Sequence, residues 1–343
     1  MNTNQVNQLR IENGGEDLVA VLTSPLSLDY DLGSDYRAPN LLHRILGLLK
    51  NVRPGSDLTR FSLPPIFNIP KSQLQCYGES VYCYNDDMLT RCANGETPLE
   101  RFISVVAWSI STLRPLMFGV APYNPILGET HHVSRGNLNV LLEQVSHHPP
   151  VSGLHATNEK DNIEMTWCQY AIPKFYGTSV ETQVLGKRQL KLLNNGETYV
   201  MNSPNLVIKF LPCPMWSGWG MTVSIKDISN GKVTVIYRAK DVISAMKTPV
   251  VKDVKGLWAS ESAVLWAKVS EGILNKSWDK AMDVKTAIED KERELVRNRI
   301  SKGEAWVPKH FVLSNCKEET GEWEWEVKPK HAKVPPAPIV VPL

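Results

Sequence analysis

Little in this sequence points to a strong electrostatic field, a disulfide scaffold or a membrane span. Lysine and arginine number 38 against 36 acidic residues, a net charge of +2. No global field therefore gathers nucleic acid, and any anion site must be local. The six cysteines, Cys76, Cys83, Cys92, Cys168, Cys213 and Cys316, contain no C-x-x-C pair. They read as reduced thiols of a cytosolic protein, not as a disulfide framework. No apolar run approaches the ~20 residues that cross a bilayer. The polar stretch Met1 to Asp17 lacks the apolar core of a secretory leader and reads as disordered. Membrane contact is therefore expected to be transient and peripheral. Missing too are G-x-G-x-x-G, a phosphate loop and a G-x-S-x-G elbow. No nucleophile constellation remains, so no enzyme is expected. His131-His132 and His147-His148 invite zinc, but a closed site needs four ligands and no cysteine pair accompanies them. Neither metal nor cofactor is assigned. Nothing places Glu129 and Glu143 at the separation of a glycosidase pair.

What is present is a globular composition, 42% hydrophobic and 22% charged over 343 residues, enough for one large domain or two ordinary ones. Pro98 to Leu113 reads as a helix ended by Pro115. Pro64, Pro65 and Pro70 mark an extended connector. From about Val120 to Ala245 short alternating runs are separated by turn signals at Arg135-Gly136-Asn137, Asn158 to Asn162, Asn194-Asn195-Gly196 and Asn230-Gly231. That spacing predicts an antiparallel meander, curled or closed, able to enclose an apolar cavity. From Ser260 to about Ile300 the pattern is helical. The proline-rich tail from Val334 reads as an extended surface run.

Three stretches carry candidate chemistry. The first is Glu143-Gln144-Val145-Ser146-His147-His148-Pro149-Pro150, which follows the alternating strand Leu138, Val140, Leu142. Neighbouring strand side chains face opposite ways, so both imidazoles reach one site only if the chain bends there. The prolines permit such a bend. Taken alone, His-His-Pro-Pro reads more readily as a strand end with two partly exposed histidines. The second stretch is Ala38 to Val52. Leu41, Leu42, Ile45, Leu46 and Leu49 recur at helical spacing, with His43, Arg44, Gly47 and Lys50 opposite. Periodicity alone makes it an ordinary core-facing helix. The third is the last long helix, where Trp278, Met282 and Val296 share a face flanked by Ala281, Ile288 and Leu295. Lys285, Glu289 and Arg293 interrupt that face at intervals of four. Burying them costs several kcal/mol each unless paired, whereas a solvated ladder of such pairs is worth about 0.2–0.5 kcal/mol per pair. Spacing leaves both readings open.

The octet, together with Leu58-Thr59-Arg60-Phe61-Ser62-Leu63-Pro64, Pro98-Leu99-Glu100-Arg101-Phe102, Asn124-Pro125-Ile126-Leu127-Gly128-Glu129-Thr130 and Trp306-Val307-Pro308-Lys309-His310-Phe311, resembles the oxysterol-binding-protein-related family over nearly the whole chain. The form is most similar to the short plant members, with no appended membrane-targeting domain. The resemblance implies an α+β fold: an incomplete antiparallel β-barrel with an N-terminal amphipathic lid and a helical C-terminal region. It divides the chain into a disordered N-terminus and lid helix over 1–55 and a lipid-binding barrel domain with C-terminal helices over 56–343. It implies a non-enzymatic carrier of a sterol and/or phosphatidylinositol 4-phosphate between membranes, cytosolic and peripherally associated with intracellular membranes. Carried over residue by residue, the headgroup set is Asn124, His147, His148, Lys285, Glu289 and Arg293. The helix bearing Leu41, Leu42, Ile45, Leu46 and Leu49 becomes the lid.

Two departures qualify this. Many members carry Lys-Pro-x-Asn-Pro, but here Ala121 precedes Pro122, which removes one phosphate-facing cation. Where members continue through more strands, this chain runs from Leu211 to Met221 through Pro212-Cys213-Pro214-Met215-Trp216-Ser217-Gly218-Trp219-Gly220. Part of the barrel wall is then missing. The alternative function is a truncated, non-transporting member acting as a membrane-associated interaction protein.

Overall fold

The structure, a computed structural model, describes residues 7–13, 16–25, 38–83, 88–112, 119–209, 222–226, 228–229, 231–238, 247–317 and 323–343. Its centre is an eleven-stranded sheet, antiparallel except for one parallel pair. Its path runs through Glu197–Asn202, Lys187–Leu192, Ile163–Phe175, Val151–Asn158, Leu138–Ser146, Thr130–Arg135, Ile339–Val340 and Val250–Val251. The 13-residue strand Ile163–Phe175 serves two neighbours in turn: Ile163 to Trp167 pairs with Lys187–Leu192, and Tyr170 to Phe175 with Ser179–Leu185. Gly186 sits where the two meet, at φ +93° with its backbone against Cys168, where a Cβ would lie 2.0 Å from the Cys168 carbonyl oxygen. Only glycine permits that approach.

Among the described residues the sheet stays open, with Glu197–Asn202 at one end and Val250–Val251 at the other. The architecture is α+β, and the wall is an incomplete barrel. The turn signals at 135–137, 158–162 and 194–196 each join antiparallel neighbours. Thr222–Lys226 and Val233–Arg238 pair across the fourth. The stretch from Leu211 to Met221 lies outside the described residues, so the barrel departure expected there is not described.

Strand Leu138–Ser146 is buried at eight of its nine positions, because both faces of the sheet are covered. On one face Leu142, Leu154 and Trp167, aligned by register, join Leu74 and Trp108 from the helices Gln73–Tyr82 and Pro98–Ser111. On the other, Val145, Val151 and Tyr170 pack with Phe311 and Val327 of a C-terminal hairpin. Gly153 lies beneath the Phe311 ring. The connector at Pro64 to Pro70 is buried along its later half, where Asn68–Ser72 pairs in parallel with Ala121–Tyr123. Three helices, Ser262–Leu265, Ala267–Leu274 and Trp278–Ser301, fill the predicted helical region.

Two expectations differ from the structure. Residues 7–13 and 16–22, read as disordered through Asp17, pair as a hairpin. The weak alternation of Leu9, Ile11, Leu18, Ala20 and Leu22 is obscured by charge, but Ala20 and Leu22 enter the main core and the Thr23 carbonyl accepts from buried Lys71 at 3.0 Å. The tail from Val334 is not a surface run. Val334, Ile339 and Val341 are buried, and Ile339–Val340 inserts in parallel beside Thr130–Arg135. Its prolines fall where no ladder donor is needed, while Val334 N donates to Thr157 Oγ1 at 3.1 Å and Ala337 N to Ser134 Oγ at 2.7 Å.

Ile339→Ala therefore opens a core cavity and is expected to cost about 2–5 kcal/mol. A surface tail would tolerate the change within about 0.5 kcal/mol. The urea unfolding midpoint distinguishes the two.

Candidate functional site

A cavity of about 980 Å³ opens between the sheet, the helix Trp278–Ser301 and the strap of residues 58–63. Small-molecule sites commonly span about 300–1,000 Å³. Asn124, His147, His148, Lys285, Glu289 and Arg293, separated by as much as half of the chain, all line it. Apolar wall comes from Leu58, Phe61, Tyr123, Val145 and Leu313.

The bend that the paired histidines require is present. A register shift between Gln144 and Ser146 marks a bulge, and residues 147–150 then turn. Bulges re-aim side chains at strand ends. The His148–Pro149 peptide is cis, and the two imidazole centroids lie 4.6 Å apart. His147 Nδ1 donates to the Pro125 carbonyl at 3.0 Å, which leaves Nε2 as the acceptor of the neutral ring. Burial holds His147 below the ordinary histidine value, partly offset by the Pro125 carbonyl and Glu289. His148 is lowered by its partial burial and then by neighbouring His147 and Arg60.

The helix resolves the two readings of its charged face by depth. Lys285 is buried: its Nζ donates to Glu289 Oε1 at 2.5 Å and to Ser62 Oγ at 3.2 Å. Ser62 Oγ donates in turn to Glu289 Oε2 at 3.0 Å. Arg293 lies outside, 57% exposed, with NH2 3.2 Å from Glu289 Oε2 and NH1 2.5 Å from Asp290 Oδ1. Ion pairs at that exposure are worth about 0–1 kcal/mol. The face itself is narrower than the spacing suggested. Ala281, Lys285 and Glu292 are buried, while Met282 and Leu295, expected on the apolar side, are exposed.

The helix Leu41–Leu49 forms as expected, but none of Leu41, Leu42, Ile45, Leu46 and Leu49 lines the cavity. Ile45 and Leu49 are buried against Phe67 and Phe175, Leu41 and Leu42 pack at the same cluster, and Leu46 is exposed. That cluster includes Leu58 and Leu63 of the strap, so the helix packs with the strap, whose residues 58–63 line the cavity.

Sequence reasoning missed the residues that hold these parts in place. Glu143, fully buried, accepts from Lys309 N at 2.7 Å and His310 N at 2.8 Å and so ties the histidine strand to the Trp306–Phe311 segment. Glu129, also fully buried, accepts from Ser72 Oγ, from Ser262 Oγ at 2.6 Å, from Trp266 Nε1 at 2.8 Å and from Ile126 N at 3.1 Å. Gly128, at φ +76°, lets Trp306 lie over the loop, where a Cβ would meet its ring at 2.6 Å. His131 and His132 are structural: His131 bridges Glu261 and Tyr82, and His132 Nε2 donates to the Pro335 carbonyl. Only the Asn-Pro-Ile-Leu-Gly-Glu-Thr motif itself signalled that Gly128 and Glu129 mattered. Ser62 lies within the Leu58–Pro64 motif, but nothing there singles out its own role.

A family model described as oxysterol-binding protein matches residues 44–266. Oxysterol-binding protein-related protein 4B of Arabidopsis thaliana is 44% identical over 94% of this chain and 97% of its own length. That alignment spans 377 residues, more than the 343 here, so the relative carries sequence that this chain lacks. Among solved structures, the Osh1 ORD domain in complex with cholesterol aligns with TM-score 0.62 at 18% identity, over 84% of this chain and 87% of that one. The Osh3 ORD in complex with PI(4)P, from Saccharomyces cerevisiae, aligns with TM-score 0.61 at 22% identity, over 86% and 92%. At those identities the likeness concerns the fold.

The buried imidazoles set a pH dependence. Burial lowers His132, His147, His148, His155 and His310, the last to about 4. Below pH 6.5 the unfolded chain then binds more protons than the folded one, and stability falls as pH drops through the depressed values. Glu129 and Glu143, raised by burial, act in the opposite sense. With five groups against two, the urea midpoint is expected to fall between pH 6.5 and about 5. A rising midpoint would show that the carboxylates dominate.

Proposed function

Because the chain belongs to the oxysterol-binding protein family, we propose that it is a non-enzymatic lipid carrier that holds a sterol and/or phosphatidylinositol 4-phosphate in this cavity and moves it between membranes. The observation that carries the reading is the meeting of an apolar wall with Asn124, His147, His148, Lys285, Glu289 and Arg293 at one cavity. Apolar burial at about 25 cal/mol per Å² would hold the lipid body. The cations and imidazoles would select the headgroup, since phosphate favours several charge-assisted donors. His147 Nε2, unused by the Pro125 bond, would gain a proton beside an anion and become a donor. Arg293 would present its fork and Lys285 a point charge, with Glu289 orienting both.

The helix Leu41–Leu49 would act as a lid through the strap it packs with, opening at a membrane and closing on cargo. No described helix is long and apolar enough to cross a membrane, and the proposed membrane contact is peripheral, made from the cytosol. The longer alignment of the Arabidopsis relative keeps a second reading in play, in which lost wall strands leave a non-transporting interaction protein. Extraction of sterol or phosphatidylinositol 4-phosphate from vesicles by the purified protein decides between them. Removal of neither lipid rejects the carrier.

His147→Ala with His148→Ala is expected to weaken phosphatidylinositol 4-phosphate binding about tenfold or more while sterol uptake stays nearly unchanged. Equal loss of both lipids would make the rings structural. Ile45→Asp places a charge at the buried seam between the Leu41–Leu49 helix and the strap, and lipid escape from the loaded protein should accelerate. An unchanged escape rate leaves that helix without a lid role.

A further inference from the structure

The charges on the cavity wall do not balance. Four cations, Arg60, Lys285, Arg293 and Arg297, face it against two carboxylates, Glu289 and Glu292. Both carboxylates are already engaged. Glu289 holds Lys285, Arg293 and Ser62, and Glu292 holds Arg299 at 2.9 Å. Arg60 is exposed and makes no ion pair or side-chain hydrogen bond among the described residues; the nearby Asp57 carboxylate feels its charge without closing a bridge, and Arg60 stands close enough to His148 to depress that ring's proton affinity. The backbone that carries Arg60 is fixed on both sides. Leu58 N donates to the Pro173 carbonyl at 2.8 Å, Thr59 N to Asp57 Oδ1 at 2.7 Å and Phe61 N to the Leu58 carbonyl at 2.9 Å. The wall position at 121, by contrast, holds an alanine that offers no charge.

Resting on the carrier reading, we propose that Arg60 is a phosphate-binding residue of the cavity, supplying from the strap the cation that position 121 lacks, so that a phosphomonoester headgroup pins the strap closed. The guanidinium presents donors in a planar fork suited to phosphate oxygens. The neighbouring imidazoles, His147 and His148, are the other donors on that side. The mechanical consequence follows from packing. Leu58 and Leu63 flank Arg60 and lie in the cluster of Ile45 and Leu49, so an anion held by Arg60 restrains the strap and, through it, the helix Leu41–Leu49. An apolar cargo with a hydroxyl head offers Arg60 a single neutral acceptor in place of several anionic ones and holds the strap far more weakly.

The test compares the full chain with Arg60→Gln. Extraction is measured from phosphatidylcholine vesicles doped with phosphatidylinositol 4-phosphate, with plain phosphatidylinositol, or with a sterol. Hydrogen exchange of residues 58–63 is followed in each loaded state. Expected is a loss of about tenfold to a hundredfold in phosphatidylinositol 4-phosphate binding, a smaller loss for phosphatidylinositol, unchanged sterol uptake, and slowed exchange in the strap for the phosphomonoester-loaded wild type alone. Unchanged sterol uptake also establishes that the variant folds. Binding of the phosphomonoester within twofold of wild type, or equal strap protection in the variant, overturns the role of Arg60 and leaves the carrier intact. A wild type that extracts sterol but no phosphoinositide overturns the phosphate role alone, whereas one that extracts neither lipid overturns the carrier as well. Arg60-dependent strap protection by inorganic phosphate alone would make this a soluble-anion site and overturn the lipid assignment.

Discussion

The cavity depends on two carboxylates that never touch its contents. Glu143, on the strand Leu138–Ser146, and Glu129, just before the neighbouring strand Thr130–Arg135, lie fully buried, where an unpaired carboxylate would cost many kcal/mol. Each is stabilised by donors brought from remote sequence: Ser72, Ser262 and Trp266 for Glu129, and the Lys309 and His310 amides for Glu143. The cost of leaving either acid unsatisfied compels these segments to arrive together. Once they do, the Asn124–Thr130 loop, the histidine bend, the first buried helix and the Trp306 segment have one relative placement. The wall of the cavity is the surface those segments enclose.

The mouth is organised by a gradient of exposure along one helix. Lys285 is buried, Glu289 half-buried and Arg293 solvated. A charged ladder entering a protein at one end differs from either a surface ladder or a buried triad. Its inner cation is hard to remove without stranding Glu289, while its outer cation is free to exchange partners. Ser62, which both accepts from Lys285 and donates to Glu289, closes the inner end against the strap.

The strands between 130 and 202 and the helices after 260 were legible because alternation, turn residues and helical period agree there. The six residues proposed as the headgroup set come from motifs that stand out against composition, and the structure gathers them at one cavity. Ile339 and Val341 gain their place from a parallel partner about two hundred residues earlier, and no local pattern encodes a partner. Leu9 and Ile11 alternate among polar residues too numerous for the alternation to register. Helical spacing puts Met282 and Leu295 on or beside the apolar face, whereas the helix buries only the narrow row through Ala281, Lys285 and Glu292. Ser62 and Arg60 lie in a proline-flanked stretch with no periodicity, and only the fold reveals what they adjoin.

The parallel insertion of Ile339–Val340 bears on how this chain is made. His132 and Pro335 are 203 residues apart in sequence, as are Ser134 and Ala337. On the ribosome, strand Thr130–Arg135 therefore emerges long before the segment that covers its edge. Throughout that interval Val133 and the strand's open ladder are available to other chains, the circumstance in which nascent polypeptides aggregate or engage chaperones. Completion of the central sheet is a late, long-range event, and the yield of folded protein in a cell would be governed by how well that edge is guarded during synthesis.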